Sequence, residues 1–413
     1  MLERFLSLFQ TEFYMKVWRT AAETWPILVP LILLNLLFYT WFAYKRRVWM
    51  RGQGSILLEI KIPKDVLKSP AAMEMVIEGI WEDVVGNLTD VYLEGRVRDW
   101  FSLEIVSIGG EVKFFIWGLK KWKSIIETRV YTHYPGAEVF EVEDYALKIV
   151  YDPTKMSMFG ITTKLVRPDA YPIKTYIDYE LDRGNKEQEE IIDPIAPMLE
   201  YLGTLKPGEV AGMQILIQGH RKESFQDTRL FSKPDWKEGI KKEIKKIIDE
   251  EAFVKPAEGK PATLLYLTKT QDETIKSIER NAGKLAFNSM VRLLYAAPIE
   301  IFDKMKGTGM VGSMRQFGSK TLNGIRPDKF MSIEYHWKDF RGAKKRRLQS
   351  THIEAYKRRS FFDVPFKHLN GQPYVLTTEE LATIFHFPGA TATTPTLTRV
   401  PSKKGEAPAN LPV

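Results

Sequence analysis

Eight cations crowd one short stretch of the chain. Arg341, Lys344, Lys345, Arg346, Arg347, Lys357, Arg358 and Arg359 fall in under twenty residues, with Glu354 the one acid among them and Tyr356, Phe361 and Phe362 alongside. Positive charge at this density attracts phosphate backbones, because each neutralised phosphate releases a condensed counterion, and it attracts the acidic inner leaflet of a membrane by the same sign rule. The neighbouring aromatics could stack on exposed bases of a single strand. The blander reading is a solvated basic linker, since charge runs usually need no partner. Nucleic acid and anionic lipid both stay open as ligands, and the whole chain leans the same way, with a formal charge of +8 and a pI near 9.2.

Patterns for bond-making chemistry are missing around this charge. Nucleotide hydrolysis needs a phosphate-cradling loop GxxxxGK[ST], and the nearest approach, Phe317-Gly318-Ser319-Lys320-Thr321, places Ser319 between glycine and lysine with no strand running into it. Histidines 133, 220, 336, 352, 368 and 386 include no i, i+4 pair and no HExxH, so metalloenzyme chemistry has no visible basis. The acidic runs Glu187–Glu190 and Asp249–Glu251 have lysines nearby and read as solvated helix ends or loops. A GxSxG nucleophile motif is absent, and with no cysteine there are neither disulfides nor thiolate metal sites. The expectation is a protein that is not an enzyme and takes no cofactor.

Basic residues need something to hold them in place, and the sequence offers a membrane anchor. Trp25 to Tyr44 reads WPILVPLILLNLLFYTWFAY without one charge. At about 1.5 Å per residue that run matches a hydrocarbon core of roughly 30 Å. Trp25 stands at one end and Trp41 with Tyr44 at the other, where amphipathic rings sit in the headgroup layer. Pro26 and Pro30 fall in what should be the first turns. A cleaved signal peptide is disfavoured by the length of the run and by the basic residues that follow it. Lys45, Arg46, Arg47 and Arg51 come just after it, against Lys16 and Arg19 before it, so the positive-inside rule puts the larger part in the cytoplasm. Asn35, mid-span, could hydrogen-bond across a homo-oligomer interface. Residues 1–24 alternate apolar and charged positions, as in an amphipathic helix on the outer interface or as a helical extension of the span.

Past the anchor the chain alternates strand-like and helix-like periods. Ile56, Leu58, Ile60 and Ile62 alternate as a strand, Ser69-Pro70 opens a helix, and Phe101–Ile105 and Val112–Ile116 flank the turn Gly109-Gly110 as a hairpin. A helix over Leu119–His133 and a strand near Ala137–Val142 complete β-α-β-β-α-β, the split order of ferredoxin-like domains. A second round is expected from a strand at Lys174–Tyr179, a helix begun by Asp193-Pro194, a strand at Met213–Ile217, a helical insertion, a strand at Met290–Ala297, a helix at Pro298–Phe317 and a strand at Met331–Tyr335. The expected class is therefore α+β: a single N-terminal transmembrane helix, then two ferredoxin-like (βαββαβ) units over 50–165 and 166–340, the second with helical insertion 232–285. A basic segment with a short helix, 341–388, and an extended tail rich in Ala, Thr and Pro, 389–413, follow.

Three stretches carry a resemblance. Thr377-Thr378-Glu379-Glu380-Leu381-Ala382-Thr383-Ile384-Phe385-His386-Phe387-Pro388, with Ala407-Pro408-Ala409-Asn410-Leu411-Pro412, resembles the region that introduces the motor domain of coupling-protein ATPases in type IV secretion and conjugation systems. Tyr134-Pro135-Gly136-Ala137-Glu138-Val139 with Glu143-Asp144-Tyr145, and Ala170-Tyr171-Pro172-Ile173-Lys174-Thr175-Tyr176, resemble an uncharacterised family of bacterial membrane proteins associated with that machinery. The chain stops where such an ATPase would begin its phosphate loop. The resemblance implies an accessory component in the bacterial inner membrane, docking a separate motor ATPase and contacting DNA or lipid. The competing expectation is a membrane-tethered nucleic-acid-binding protein unrelated to secretion.

Overall fold

A computed structural model describes residues 2–63, 68–182, 193–222, 235–251, 267–330 and 339–388. Its contacts divide the chain into two compact units, one made of Met1–Gly52 with Gly86–Val97 and a larger one holding the rest.

In the smaller unit, α1 (Leu2–Gln53) runs unbroken, so the N-terminal segment continues the apolar helix. Its stretch Ala22–Gln53 is long and apolar enough to cross a membrane, the most apolar 18 residues within it having a mean hydropathy of 1.9. Pro26 and Pro30 lie in the middle of this helix and not in its first turns, so each removes a hydrogen bond from the interior of the ladder. Residues 86–97 fold back on α1. The Tyr92 ring lies 6.1 Å from Phe38 and 5.5 Å from Phe42, and positive-φ Gly95 approaches the Lys45–Arg46 backbone so closely that a Cβ would meet it at 2.4 Å.

The larger unit is built on one nine-stranded antiparallel sheet. Its strands are β1 (Ser55–Lys61), β2 (Phe101–Ile108), β3 (Glu111–Leu119), β4 (Glu138–Glu141), β5 (Met156–Leu165), β6 (Val210–Gly219), β7 (Ala286–Pro298), β8 (Ile325–Phe330) and β9 (Tyr374–Thr377). They lie in the order β4-β1-β3-β2-β6-β7-β5-β8, with β9 paired to the start of β7. The first four strands therefore repeat, in mirror order along the sheet, the arrangement of the next four. The halves meet where β2 pairs with β6 over eight residues, Phe101↔Ile217 through Ile108↔Val210.

Helices α2 (Pro70–Glu78), α3 (Lys123–His133), α4 (Ala196–Gly203), α7 (Lys304–Gly312) and α9 (Thr378–Ile384) alternate with these strands, and α5 (Trp236–Glu251) and α6 (Lys269–Ala282) fill the β6–β7 connection. α2 begins where its sequence says: the Ser69 side chain accepts from Ala71 N–H and Pro70 occupies the first turn. Its Met73, Val76 and Ile77 are fully buried, each contributing about 1.5–3 kcal/mol by leaving water. In α5 and α6, Trp236, Ile240, Ile247 and Ile278 close a satellite core.

α8 (Ala343–Lys357) covers the opposite face of the sheet together with the turn at Tyr145–Lys148 and the loop after Lys357. Directly opposed residues of antiparallel strands share a face. The register thus sets Glu59, Phe115, Glu104, Gln214, Arg292 and Thr162 in one row across six strands, under this cover.

Several expectations change. Residues 174–179 form no strand: Thr175 N–H donates to Asp178 and Tyr176 N–H to Thr383 Oγ1, while Asp178 and Tyr179 N–H turn back to the Thr175 carbonyl. The strand that opens the second half is β5, which pairs with β7 and β8 although it ends at the expected boundary of the first unit. The helix expected over Pro298–Phe317 shrinks to α7 and a 3-10 turn at Arg315–Phe317. The strand at Met331–Tyr335, the acidic run 187–190 and the tail 389–413 lie outside the described residues.

Candidate functional site

The basic segment is mostly helix. α8 starts after Gly342, whose φ of +68° suits glycine, and the Asp339 carboxylate accepts the backbone N–H groups of Lys344 at 2.7 Å and Lys345 at 2.9 Å. An acid there satisfies free N–H groups and opposes the positive end of the helix dipole. One stripe of the helix, with Gln349, His352, Ile353 and Tyr356, is buried. The side chains of Arg341, Lys344, Lys345, Arg346 and Arg347 are exposed, as is Arg358. Lys357 is half-buried, and both it and Arg358 lie 3.6 Å from Glu354, a spacing at which surface pairs are worth at most about 1 kcal/mol.

Arg359 does not join this surface. It is fully buried and holds Glu104 through Nε at 2.9 Å and Nη2 at 3.1 Å, while Nη1 binds Asp144. Read from sequence it was one more surface cation, but its burial leaves it no access to a polyanion. Glu104 also accepts from Ser102 at 2.7 Å, from Gln214 Nε2 at 2.9 Å and from the Tyr145 hydroxyl at 2.8 Å. Burial pushes the Glu104 carboxyl up, but the Arg359 charge and these hydrogen bonds outweigh it and hold the group below its ordinary value. Arg292, in the same row, is pushed down to about 9 by burial, and His352 down to about 3 by burial beside Arg292. Two acids and two guanidiniums thus make a locally neutral interior.

The exposed cations border a recess. Lys345, Arg346 and Gln349 of α8 line a groove of about 450 Å³ together with Tyr151, Ile299 and Phe302. Its walls are braced: the Tyr151 hydroxyl donates to Gln349 Oε1 at 2.7 Å, Gln349 Nε2 donates to the Met158 carbonyl at 3.1 Å, and Phe302 stacks on Tyr295 at 5.3 Å. Sequence reading missed these wall residues, which come from three separate segments with no shared motif. The polar row was more legible, since Glu104, Gln214 and Arg292 each interrupt an apolar strand.

Two of the stretches that carry the resemblance meet. Glu380 accepts from Ile173 N–H at 2.9 Å, Glu379 from the Thr175 hydroxyl at 2.6 Å, and Thr383 from Tyr176 N–H at 2.9 Å. Arg280 adds an ion pair to Glu379 at 3.0 Å. Thr377 caps α9 and Glu380 reaches back to it, a capping box closed inside the protein. Burial pushes the Glu380 carboxyl up to about 7 against the backbone hydrogen bonds it accepts.

The remaining sequence candidates are structural or peripheral. His386 bridges the Ala382 carbonyl and Asp193, each at 2.9 Å, and His220 bridges Asn288 and Asp235. The Lys320 and Thr321 carbonyls of the near-miss phosphate loop accept from Arg167. Among the described residues no three His, Asp or Glu side chains gather as a metal site. Along α1, Trp25, Asn35, Trp41 and Arg47 are exposed, Lys45 is half-buried with its ammonium 4.9 Å from the Trp41 ring centre, and Arg46 is buried with its guanidinium 4.1 Å from that of Phe42. Arg46 is therefore part of the packing with residues 86–97, a role its place in a basic flank did not reveal. In comparisons with known proteins, no family model and no curated relative matches the chain.

Proposed function

We propose that this protein is a membrane-anchored, non-enzymatic component of a type IV secretion-like DNA-transfer or export complex, in which it docks a separate motor ATPase. α1 is the anchor in a bacterial inner membrane, with the sheet unit on the cytoplasmic side. The observation that carries the reading is the mutual hydrogen bonding of residues 170–176 and 377–388: the two stretches that resemble secretion-associated proteins form one packed element. Each half of the sheet is proposed to be a ferredoxin-like unit. The strand orders β4-β1-β3-β2 and β8-β5-β7-β6, each with helices between its first and second and its third and fourth strands, support this. A paired scaffold of this kind offers a broad assembly surface.

The full chain, expressed in a bacterium with a reporter at its far end, should stay with membranes through an alkaline wash and show a cytoplasmic reporter. Purified in detergent, it should co-sediment with a conjugative motor ATPase and turn over no ATP alone. A soluble product or an outward reporter overturns the anchor, and ATP turnover by the motor-free chain overturns the non-enzymatic assignment. Failure to bind the motor, with DNA binding retained, leaves the second reading, a tethered nucleic-acid-binding protein. The exposed cations of α8 favour that alternative.

A further inference from the structure

The groove between α8 and the segments at Tyr151 and Ile299–Phe302 combines features that the exposed cations alone do not have. We propose that it receives one unstacked nucleotide of a single-stranded nucleic acid, the base against Tyr151, Ile299 and Phe302 and its phosphate on Lys345 and Arg346. This rests on the reading that the basic face meets nucleic acid, and it names the form of that ligand.

Three observations carry it. A recess of about 450 Å³ accommodates a base with its sugar, whereas a rigid duplex keeps its bases stacked and meets only the rim. The lining combines apolar and aromatic residues, Tyr151, Ile299 and Phe302, with the cations Lys345 and Arg346, which matches the two parts of a nucleotide and gives a bare phosphate or a lipid headgroup no use for the aromatic residues. Asp339, the one acid among the described residues that line the groove, is engaged with two backbone N–H groups at the start of α8, so Lys345 and Arg346 face the recess without an ion pair to a carboxylate among those residues. Lys344 and Arg347, exposed on the same helix, extend the positive surface for adjoining phosphates.

The Gln349 brace makes the recess preformed. Tyr151 is tied to Gln349 and Gln349 to the backbone of β5, so ligand entry would require little reordering of the walls.

The test uses the full chain in detergent and a fluorescent oligothymidine. Wild type should bind the single strand in a salt-dependent way and at least about tenfold more tightly than a duplex of equal length. K345E/R346E should lower single-strand affinity at least about tenfold. K241E/K242E, the same charge change on exposed α5 residues, should shift it less than about twofold. I299S, at the half-exposed rim, should weaken the single strand but not the duplex, and because it changes no charge it tests the apolar wall independently of the charge reversal. Thermal unfolding of each variant should match wild type. Binding by wild type with equal losses for both charge pairs overturns the groove and leaves only a general basic surface. Equal affinity for duplex, or binding to phosphatidylglycerol vesicles that K345E/R346E abolishes while single-strand binding is absent, overturns it as well. No binding to any nucleic acid defeats the groove and the nucleic-acid readings together.

Discussion

At the scale of single residues, the fully buried pair of Glu104 and Arg359 decides how the second face of the sheet is covered. A paired charge in the interior is weak support for stability, yet removing one partner strands the other. Glu104→Ala or Arg359→Ala should therefore lower the unfolding free energy by about 3–5 kcal/mol, and the double variant should cost less than the sum, both read from urea titrations. The acid limb follows from the same pair. Glu104 is held below its ordinary value of 4.5, so the unfolded state binds the proton more readily. Its stabilising contribution is present above about pH 4.5 and is lost as pH falls through the lowered value, so Glu104→Gln should flatten the acid-unfolding profile in that window. Glu380 works in the opposite sense. Its carboxyl is pushed up to about 7, so its contribution is full below about 4.5 and is lost as pH rises through about 7. The stability advantage of wild type over Glu380→Gln should shrink between about pH 4.5 and about pH 7 and level off above that.

Among the elements, α9 and β6 show how short pieces are fixed by what they touch. α9 is only seven residues, too short to persist alone, and it survives through its capping box and its packing on α2. Ser69→Ala at the start of α2 should cost about 0.5–2 kcal/mol, the ordinary value of a lost cap, in thermal or urea unfolding. The end of β6 is less forgiving. A Cβ on Gly219 would meet the Glu82 carbonyl oxygen at 2.1 Å, and backbone cannot swing aside as a side chain can. Gly219→Ala should destabilise by about 1–3 kcal/mol, with the chain around residue 82 losing amide-exchange protection first.

For the whole molecule, the junction of β2 and β6 makes the two halves of the sheet one hydrogen-bonded body. Glu104 of β2 and Gln214 of β6 are bonded across that seam, and Tyr356 of α8 accepts from Gln214 at 3.3 Å above it. Heating should therefore unfold both halves in a single calorimetric transition, and two separated transitions would show that the seam is weaker than its register implies. The proposed function needs this rigidity, because a scaffold between membrane and motor transmits position only if its parts do not move independently.

What the sequence determined by itself was local. An uncharged run of hydrocarbon length, a Ser-Pro helix start, a Gly-Gly hairpin and alternating strands each depend on neighbours within a few residues, and α1, α2, the turn at Gly109–Gly110 and most strands stand where those signals put them. The repeated order of elements was legible only in part: the helix after Asp193-Pro194 and the strands around Met213–Ile217 and Met290–Ala297 are present, whereas the strand that opens the second half is β5 and not residues 174–179. Only the tertiary structure decided which charges face water. Arg358 and Arg359 are chain neighbours of one type, yet one is exposed and the other is enclosed by Glu104, Asp144 and two aromatic rings from distant segments. The same holds for residues 174–179, whose pattern read as a strand but whose donors go to the Asp178 and Thr383 side chains and to turn carbonyls, and for the groove, whose walls come from three segments. Burial and long-range pairing are properties of the assembled chain, set by surfaces that no window of sequence contains.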